Sequence, residues 1–220
     1  MKRLGVLTIG ESPRPDMMVD LEPILCEKAE ITEAGALDGL TEEQVAAMAP
    51  GPGDVVLVTR FNGRTVEVAE RCIVERLQIK INELEAAGMQ CILLLCTGRF
   101  SNFVVNVPFI APGPVLSAVV PVCSNNSSIG VLVPEESQIE ELRRAWAPLV
   151  RRVELISASP YGAIEDIEAA AATFRDMDID LIVPDCMGYT QAIKDIIADI
   201  SQKPVMLSRT LVARVVVEML

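Results

Sequence analysis

The alternation of short apolar runs with helical patterns constrains the fold of this chain more than any other feature. Each run is rich in aliphatic residues and is followed by Gly, Pro or Ser and then by apolar positions at helical spacing. The runs cover residues 4–9, 55–58, 92–95, 129–133, 153–156, 181–183 and 205–207. Strands that alternate with helices form parallel sheets, and continuous apolar strands are buried on both faces. The sequence therefore predicts an α/β fold with mainly parallel sheets.

The helical patterns have recognisable start and stop signals. The longest pattern runs from Thr65 to Ala87 and stops at Gly88, which stands in the C-cap position. Other helices are expected near residues 16–28, 135–150, 165–177 and 190–200.

The second half of the chain repeats the first half, weakly but in the same order. Three segments correspond: 4–7 with 129–132, 91–98 with 180–188, and 108–120 with 204–216. Each half therefore carries one Cys-x-Gly, at Cys96 and at Cys186. Matched segments in one order indicate a duplication. We expect a first lobe of residues 1–107 plus 208–220 and a second lobe of residues 108–207, joined by a tight interface.

The composition excludes several classes of function. With 19 basic against 31 acidic residues, the net charge of −12 repels nucleic acid and anionic lipid headgroups. The absence of histidine excludes Ser-His-Asp and Cys-His catalysis and any zinc site that uses histidine. We expect neither a nucleic-acid partner nor a membrane partner.

Targeting and membrane signals are also absent from the sequence. The apolar run after Met1-Lys2-Arg3 is too short for a secretory signal, so we expect a cytoplasmic protein. The six cysteines form no C-x-x-C pair, and we expect them to be reduced. Residues 100–134 carry no charge, but five prolines interrupt them, which excludes a membrane span. This stretch favours a buried connection or an oligomer surface, and hence a homodimer.

The candidate site residues are those that follow the apolar runs, because ligands of open parallel sheets bind at the carboxyl ends of the strands. We predict that Cys96 and Cys186 are catalytic. Ser159 and Tyr161 reach the same edge. The predicted substrate-binding residues are Ser12, Arg14, Arg60, Thr97, Gly98, Arg99, Gly188, Tyr189, Thr190 and Arg209.

Two thiols at such positions are suited to proton transfer. A helix that begins after the thiol lowers its pKa from about 8.5 toward neutrality. From two pseudo-symmetric halves, Cys96 and Cys186 approach a ligand from opposite faces, so that one removes a proton from carbon and the other returns one. This is the geometry of racemisation or epimerisation. The structural alternative is that both residues are buried packing cysteines.

The four arginines at this edge predict a small anionic ligand. The planar guanidinium of Arg14, Arg60, Arg99 or Arg209 can bind a carboxylate through two hydrogen bonds, although each residue taken alone also fits an ordinary surface position. The serine and threonine hydroxyls can donate to a ligand or cap a helix. The sequence contains no glycine-rich nucleotide fingerprint, and we expect neither a nucleotide nor a metal cofactor.

Four segments together resemble the AroM family, and the resemblance spans essentially the whole chain. They are LTIGESPR at 7–14, LLLCTG at 93–98, VPDCMGYT at 183–190 and LSRTLVAR at 207–214. The AroM family is similar to the aspartate/glutamate/hydantoin racemase superfamily. The resemblance implies two pseudo-symmetric Rossmann-like lobes, a cleft between them, and one catalytic cysteine in each lobe, without pyridoxal phosphate.

For individual residues, the resemblance matches Cys96 and Cys186 to the two catalytic positions. Ser12, Thr97 and Thr190 fall near positions that bind the substrate carboxylate in the superfamily. The superfamily reads Cys-Asn-Thr or Cys-Asn-Ser at the first site and Cys-Thr-His or Cys-Thr-Glu at the second. This chain has Cys-Thr-Gly-Arg and Cys-Met-Gly-Tyr instead.

The leading interpretation is a cofactor-independent, two-cysteine racemase or isomerase that acts on a small carboxylate. The alternative is a catalytically silent metabolite-binding or regulatory protein linked to aromatic amino-acid biosynthesis. One-thiol chemistry such as decarboxylation, which needs a proton from one side only, also stays open.

Overall fold

The computed structural model describes residues 1–100 and 103–220. Its strands are β1 (Lys2–Thr8), β2 (Ala29–Gly35), β3 (Val56–Phe61), β4 (Arg64–Ala69), β5 (Cys91–Leu94), β6 (Phe109–Ile110), β7 (Ser128–Val133), β8 (Arg152–Ser157) and β9 (Leu181–Pro184). Its helices are α1 (Pro15–Leu25), α2 (Glu42–Ala46), α3 (Glu70–Ala86), α4 (Pro112–Cys123), α5 (Ile139–Trp146), α6 (Ile164–Arg175), α7 (Gln191–Ser201) and α8 (Ser208–Met219). A short 3-10 helix, Glu136–Gln138, precedes α5.

Most of these strands form two parallel sheets. The first sheet has the order β2-β1-β5-β6, and the second has the order β8-β7-β9. The central strands β1 and β7 are buried on both faces, apart from the first two residues of β1. The strands β3 and β4 form an antiparallel hairpin. Its turn residues, Asn62 and Gly63, have φ of 48° and 72°, which asparagine and glycine tolerate. The expected α/β fold with mainly parallel sheets is confirmed.

Each sheet is covered by one helix that follows a strand or bridge of the other sheet. The helix α4 leaves the first sheet after β6 and packs Leu116 and Val120 against the second sheet. The helix α8 follows a parallel bridge between Val205 and Ile182 and packs Val212 against α1 and the first sheet. The exchange of these two helices builds the interface between the lobes.

The two elements that follow residue 107 pack with different sheets. Because β6 pairs with β5, Phe109–Ile110 belong to the first sheet. The following helix α4 packs on the second sheet, and the expected boundary between the lobes stays a prediction. Residues 208–219 pack with the first lobe through α8.

Several elements differ from the sequence prediction. The helix expected from Thr65 begins at Glu70, because residues 64–69 form β4. The sequence analysis did not predict β2, because Glu30 and Glu33 interrupt its apolar residues. These charged residues are compatible with the position of β2 at the edge of the first sheet. The expected strand 205–207 is reduced to one bridge at Val205.

The uncharged stretch 100–134 contains β6, α4 and β7. Ser101 and Asn102 lie outside the described residues. Val104 and Val122 of this stretch are 70% and 78% exposed, and the homodimer stays a prediction. No helix in the described part of the chain is long and apolar enough to cross a membrane. All six cysteines are free thiols.

Candidate active site

A cleft lies where the carboxyl ends of strands from both sheets meet. Segments that follow β1, β5, β7, β8 and β9 line it, together with β3 and the first turns of α3 and α5. The cleft is open to solvent at its mouth. The predicted site residues that line this cleft are Cys96, Thr97, Gly98, Arg99 and Cys186.

The two thiols occupy equivalent loops of the two lobes. Cys96 follows β5, and its Sγ accepts a hydrogen bond from the backbone N–H of Gly98 at 3.4 Å. Cys186 follows β9, and its Sγ accepts the N–H of Gly188 at 3.3 Å. The repeated Cys-x-Gly therefore forms the same local structure twice, and both copies place a thiol at one cleft.

Both thiols have raised pKa values, in contrast to the expected lowering by a helix. Burial raises the pKa of Cys96 to about 12 and that of Cys186 to about 11, and the glycine N–H donors offset only part of this effect. The next described helix after Cys96, α4, begins at Pro112, and its first turn packs on the cysteine loop, where a Cβ at Gly113 would lie 2.6 Å from the carbonyl oxygen of Thr97. Burial is nevertheless the largest influence on the pKa of Cys96. After Cys186 the helix α7 begins at Gln191, but burial outweighs its influence. Both thiols are protonated at neutral pH.

A buried polar cluster lies beside Cys186. Asp185 is 3% exposed, and its Oδ2 accepts a hydrogen bond from Trp146 Nε1 at 2.8 Å. The guanidinium of Arg99 lies over the Trp146 ring, 5.8 Å from its centroid, and Nη1 donates to Ser117 Oγ at 2.6 Å. Burial raises the pKa of Asp185, while Trp146 and the charge of Arg99 act in the opposite direction.

One side chain joins the two cysteine loops directly. The hydroxyl of Thr97, beside Cys96, donates a hydrogen bond to the backbone carbonyl of Asp185, beside Cys186, at 3.1 Å. Thr97 therefore connects the loops across the lobe interface.

Arg14 and Arg209 are largely buried, and most of their donors are bonded within the protein. Arg14 is 3% exposed, forms two hydrogen bonds to the Asp16 carboxylate, and donates to Thr8 Oγ1. Arg209 is 1% exposed and donates to the carbonyls of Met187 and Gly188 and to other acceptors on α1. Neither residue lines the cleft, and carboxylate binding by these two arginines stays a prediction.

Arg60 lies outside this cleft, in a separate pocket beside Arg14. Its Nη2 donates to the carbonyl of Gly63 at 2.8 Å, and its guanidinium lies 5.9 Å from the centre of the Tyr161 ring. Of the four arginines expected at the site, Arg99 is the one that lines the cleft.

The remaining predicted binding residues have structural contacts. Ser12 bonds to the Asp38 carboxylate through both its N–H and its hydroxyl. Thr190 caps α7 by accepting the N–H of Ile193. Tyr189 is fully buried, and its hydroxyl donates to the carbonyl of Ala158 at 2.7 Å. Gly188 acts through its N–H on Cys186 and does not line the cleft.

The cleft also contains ionisable groups that the sequence pattern did not select as site residues. Tyr161 follows β8, and burial raises its pKa to about 12. Glu70, Glu135 and Glu141 line the cleft with Asp185, so Arg99 is its one cation among the described residues. Burial and the charge of Glu141 raise the pKa of Glu70. Two of these groups have a sequence signal: Tyr161 follows a predicted strand, and Asp185 is the neighbour of Cys186 in the chain.

Comparisons with known proteins give one family and a set of similar structures. A family model described as AroM protein matches residues 4–220. A comparison with curated protein sequences gives no match.

Three solved structures illustrate the shared fold. Aspartate racemase from Picrophilus torridus has a TM-score of 0.63 at 13% identity, over 100% of this chain and 94% of that chain. Allantoin racemase from Klebsiella pneumoniae has a TM-score of 0.61 at 13% identity, over 100% and 87%. Glutamate racemase from Francisella tularensis, in complex with D-glutamate, has a TM-score of 0.59 at 14% identity, over 99% and 80%.

Proposed function

The chain belongs to the AroM family, and on that premise we propose that it is a racemase or isomerase of a small carboxylate, with Cys96 and Cys186 as its acid and base. The observation that carries the proposal is the pair of equivalent Cys-x-Gly loops, which place one thiol from each lobe at the same cleft. A packing role for both cysteines would not require the duplicated loops to converge on a cavity.

The proposed reaction begins with one cysteine as its thiolate. This thiolate removes the carbon-bound proton of the ligand, and the electron pair of the broken C–H bond passes into the adjacent carboxylate as an enediolate. The second cysteine, as a neutral thiol, then donates its proton to the opposite face of the same carbon. The two thiols have exchanged protonation states, and the reverse reaction restores them.

Arg99 is the group we assign to the ligand carboxylate. It lines the cleft beside Cys96, and its positive charge stabilises the enediolate more than the substrate, because the enediolate carries more negative charge on its oxygens. Glu70, Glu135 and Glu141 restrict this role to a single carboxylate at the Arg99 position.

The structural neighbours support this class of ligand. Their names include an aspartate racemase and a glutamate racemase, the latter solved with D-glutamate, which is a small carboxylate. These proteins share the fold of this chain. That this chain binds a small carboxylate is our proposal.

The experiment that tests the proposal is proton NMR in deuterated water, with the protein incubated with amino acids, hydroxy acids, dicarboxylates and hydantoins. We expect one class to lose its carbon-bound proton signal, because the base exchanges its proton with solvent between turnovers. Thermal stabilisation by a compound of this panel without any exchange would instead indicate the metabolite-binding protein. The absence of both effects would contradict the proposed ligand class.

The rate of exchange is expected to rise with pH. The thiolate that removes the proton is the minor form below a pKa of about 11, so kcat/KM should rise about tenfold per pH unit from pH 6 to pH 9. The chain has no histidine, so no side chain with an ordinary pKa near 6.5 obscures this slope. A plateau or a maximum near pH 7 would contradict a base with a raised pKa.

The upper end of this pH profile needs a stability control. Burial raises the pKa of both thiols above that of a thiol exposed to solvent. The unfolded chain therefore loses these protons at lower pH than the folded protein does, and folding stability falls as pH rises from about 9 to 12. Circular dichroism at each pH defines the range in which the rates refer to folded protein.

A further inference from the structure

Two buried polar atoms at the cleft have no hydrogen-bond partner in the described protein. They are Oδ1 of Asp185 and Nε of Arg99. The other oxygen of Asp185 is occupied by Trp146 Nε1, and Nη1 of Arg99 is occupied by Ser117. An unpaired buried polar atom costs about 1–3 kcal/mol, so each of these two atoms requires a partner.

We propose that Asp185 determines ligand specificity by accepting, through its free Oδ1, a hydrogen bond from an N–H or O–H donor of a ligand whose carboxylate lies on Arg99. The proposal deepens the proposed function and rests on it for the carboxylate at Arg99. The ligand class is a small monocarboxylate with a donor group on the carbon next to the carboxylate.

The charges of the cleft favour a donor opposite Asp185. Arg99 is the one described cation, and Glu70, Glu135, Glu141 and Asp185 are the acidic groups of the lining. A second ligand carboxylate would therefore be surrounded mainly by negative charge. The free energy needed to remove it from water would exceed the electrostatic attraction it gains in the cleft. An N–H or O–H group has the opposite polarity and satisfies Oδ1 directly.

The Trp146 indole makes the proposal testable with one atom changed. The indole N–H can only donate, so in Asp185→Asn it selects the amide oxygen and leaves the amide NH₂ at the position of Oδ1. The variant therefore replaces an acceptor by a donor at nearly constant volume. The wild-type protein should prefer a ligand with a hydrogen-bond donor next to its carboxylate, and the variant should prefer a ligand with an acceptor at the same place.

The probes are matched pairs of acids that differ only at this group. We would use lactate with pyruvate, and 2-hydroxy-4-methylpentanoate with 2-oxo-4-methylpentanoate, because Val56, Leu57 and Leu142 give the cleft an apolar wall. Calorimetry on the wild-type protein should give at least about tenfold tighter binding of the hydroxy acid in each pair, and Asp185→Asn should prefer the oxo acid.

Two further variants separate hydrogen-bond polarity from other effects. Glu135→Gln also removes one negative charge from the lining, so a charge effect alone would change affinity without inverting the preference. Trp146→Phe leaves both oxygens of Asp185 as acceptors and should keep the wild-type preference. In the double variant Trp146→Phe with Asp185→Asn, the amide is no longer oriented, and the inverted preference should be lost.

The relative affinities of the wild-type protein for the hydroxy acid and the oxo acid test the proposal even if Asp185→Asn fails to fold. Equal binding of the two acids, or tighter binding of the oxo acid, would overturn it, and so would an unchanged ranking in folded Asp185→Asn. Failure to bind either member of both pairs would overturn the ligand class. If the rankings follow expectation but deuterium exchange is absent, the specificity role stands and the proposed catalysis fails.

Discussion

Replacing either catalytic thiol, Cys96→Ala or Cys186→Ala, should lower the rate of inversion, and of deuterium exchange into the enantiomer whose proton faces the lost thiol, by about 10²–10⁴-fold. This is the usual contribution of a positioned general acid or base. Each variant removes the group on one face of the ligand, so inversion at carbon stops in both. Affinity for the ligand should change by no more than a few-fold, because the carboxylate is assigned to Arg99. Proton NMR gives the rates, and calorimetry gives the affinities.

The matched control for these variants is Cys123→Ala. Cys123 is an exposed free thiol at the end of α4 and does not line the cleft, so its removal should leave exchange unchanged. Full activity in both cleft variants would reject the two-thiol mechanism. Loss of activity in one variant with tolerance in the other would instead indicate one-thiol chemistry such as decarboxylation.

The fold and the cysteine loops could be predicted from the sequence because both depend on local patterns. Continuous apolar runs such as residues 129–133 specify buried parallel strands, and the order of segments shows the duplication that brings Cys96 and Cys186 into equivalent positions. Strand β2 escapes this criterion, because an edge strand can carry Glu30 and Glu33 and still pair along its length with β1.

The roles of the arginines could not be predicted, because they depend on contacts between distant segments. An arginine that follows a strand can turn toward a ligand or toward carbonyls that lack partners. Arg209 donates to the carbonyl of Met187, in the loop after β9, because α8 packs on the first lobe and brings Arg209 to that loop. The pKa values of the two thiols could not be predicted either, because they depend on how deeply the tertiary packing buries Cys96 and Cys186.

Arg209→Ala should be among the most destabilising single substitutions in this protein. Arg209 is 1% exposed, forms an ion pair of 2.8 Å with Asp20, and donates to the carbonyls of Met187 and Gly188. Removing it leaves a carboxylate and two carbonyls without these donors, at a cost of about 3–5 kcal/mol. For a chain of this length the melting temperature should fall by roughly 6–20 °C, measured by calorimetry or circular dichroism.

Arg71→Ala is the matched control for this stability prediction. Arg71 also pairs with an aspartate, Asp54, but its side chain is 65% exposed, so its loss should change stability by no more than about 1 kcal/mol. Equal melting temperatures for the two variants would contradict the structural role of Arg209.

Arg209→Lys separates the ion pair of Arg209 from its contacts to the loop after Cys186. A lysine ammonium can still pair with Asp20, but it lacks the planar guanidinium that reaches Met187 and Gly188 together. Stability should therefore recover in part. Because Gly188 donates its N–H to the Cys186 thiol, kcat should remain lowered while the affinity for the ligand stays near the wild-type value. Recovery of kcat in parallel with stability would show that Arg209 acts on the fold alone, and continued loss of kcat would show that it positions Cys186.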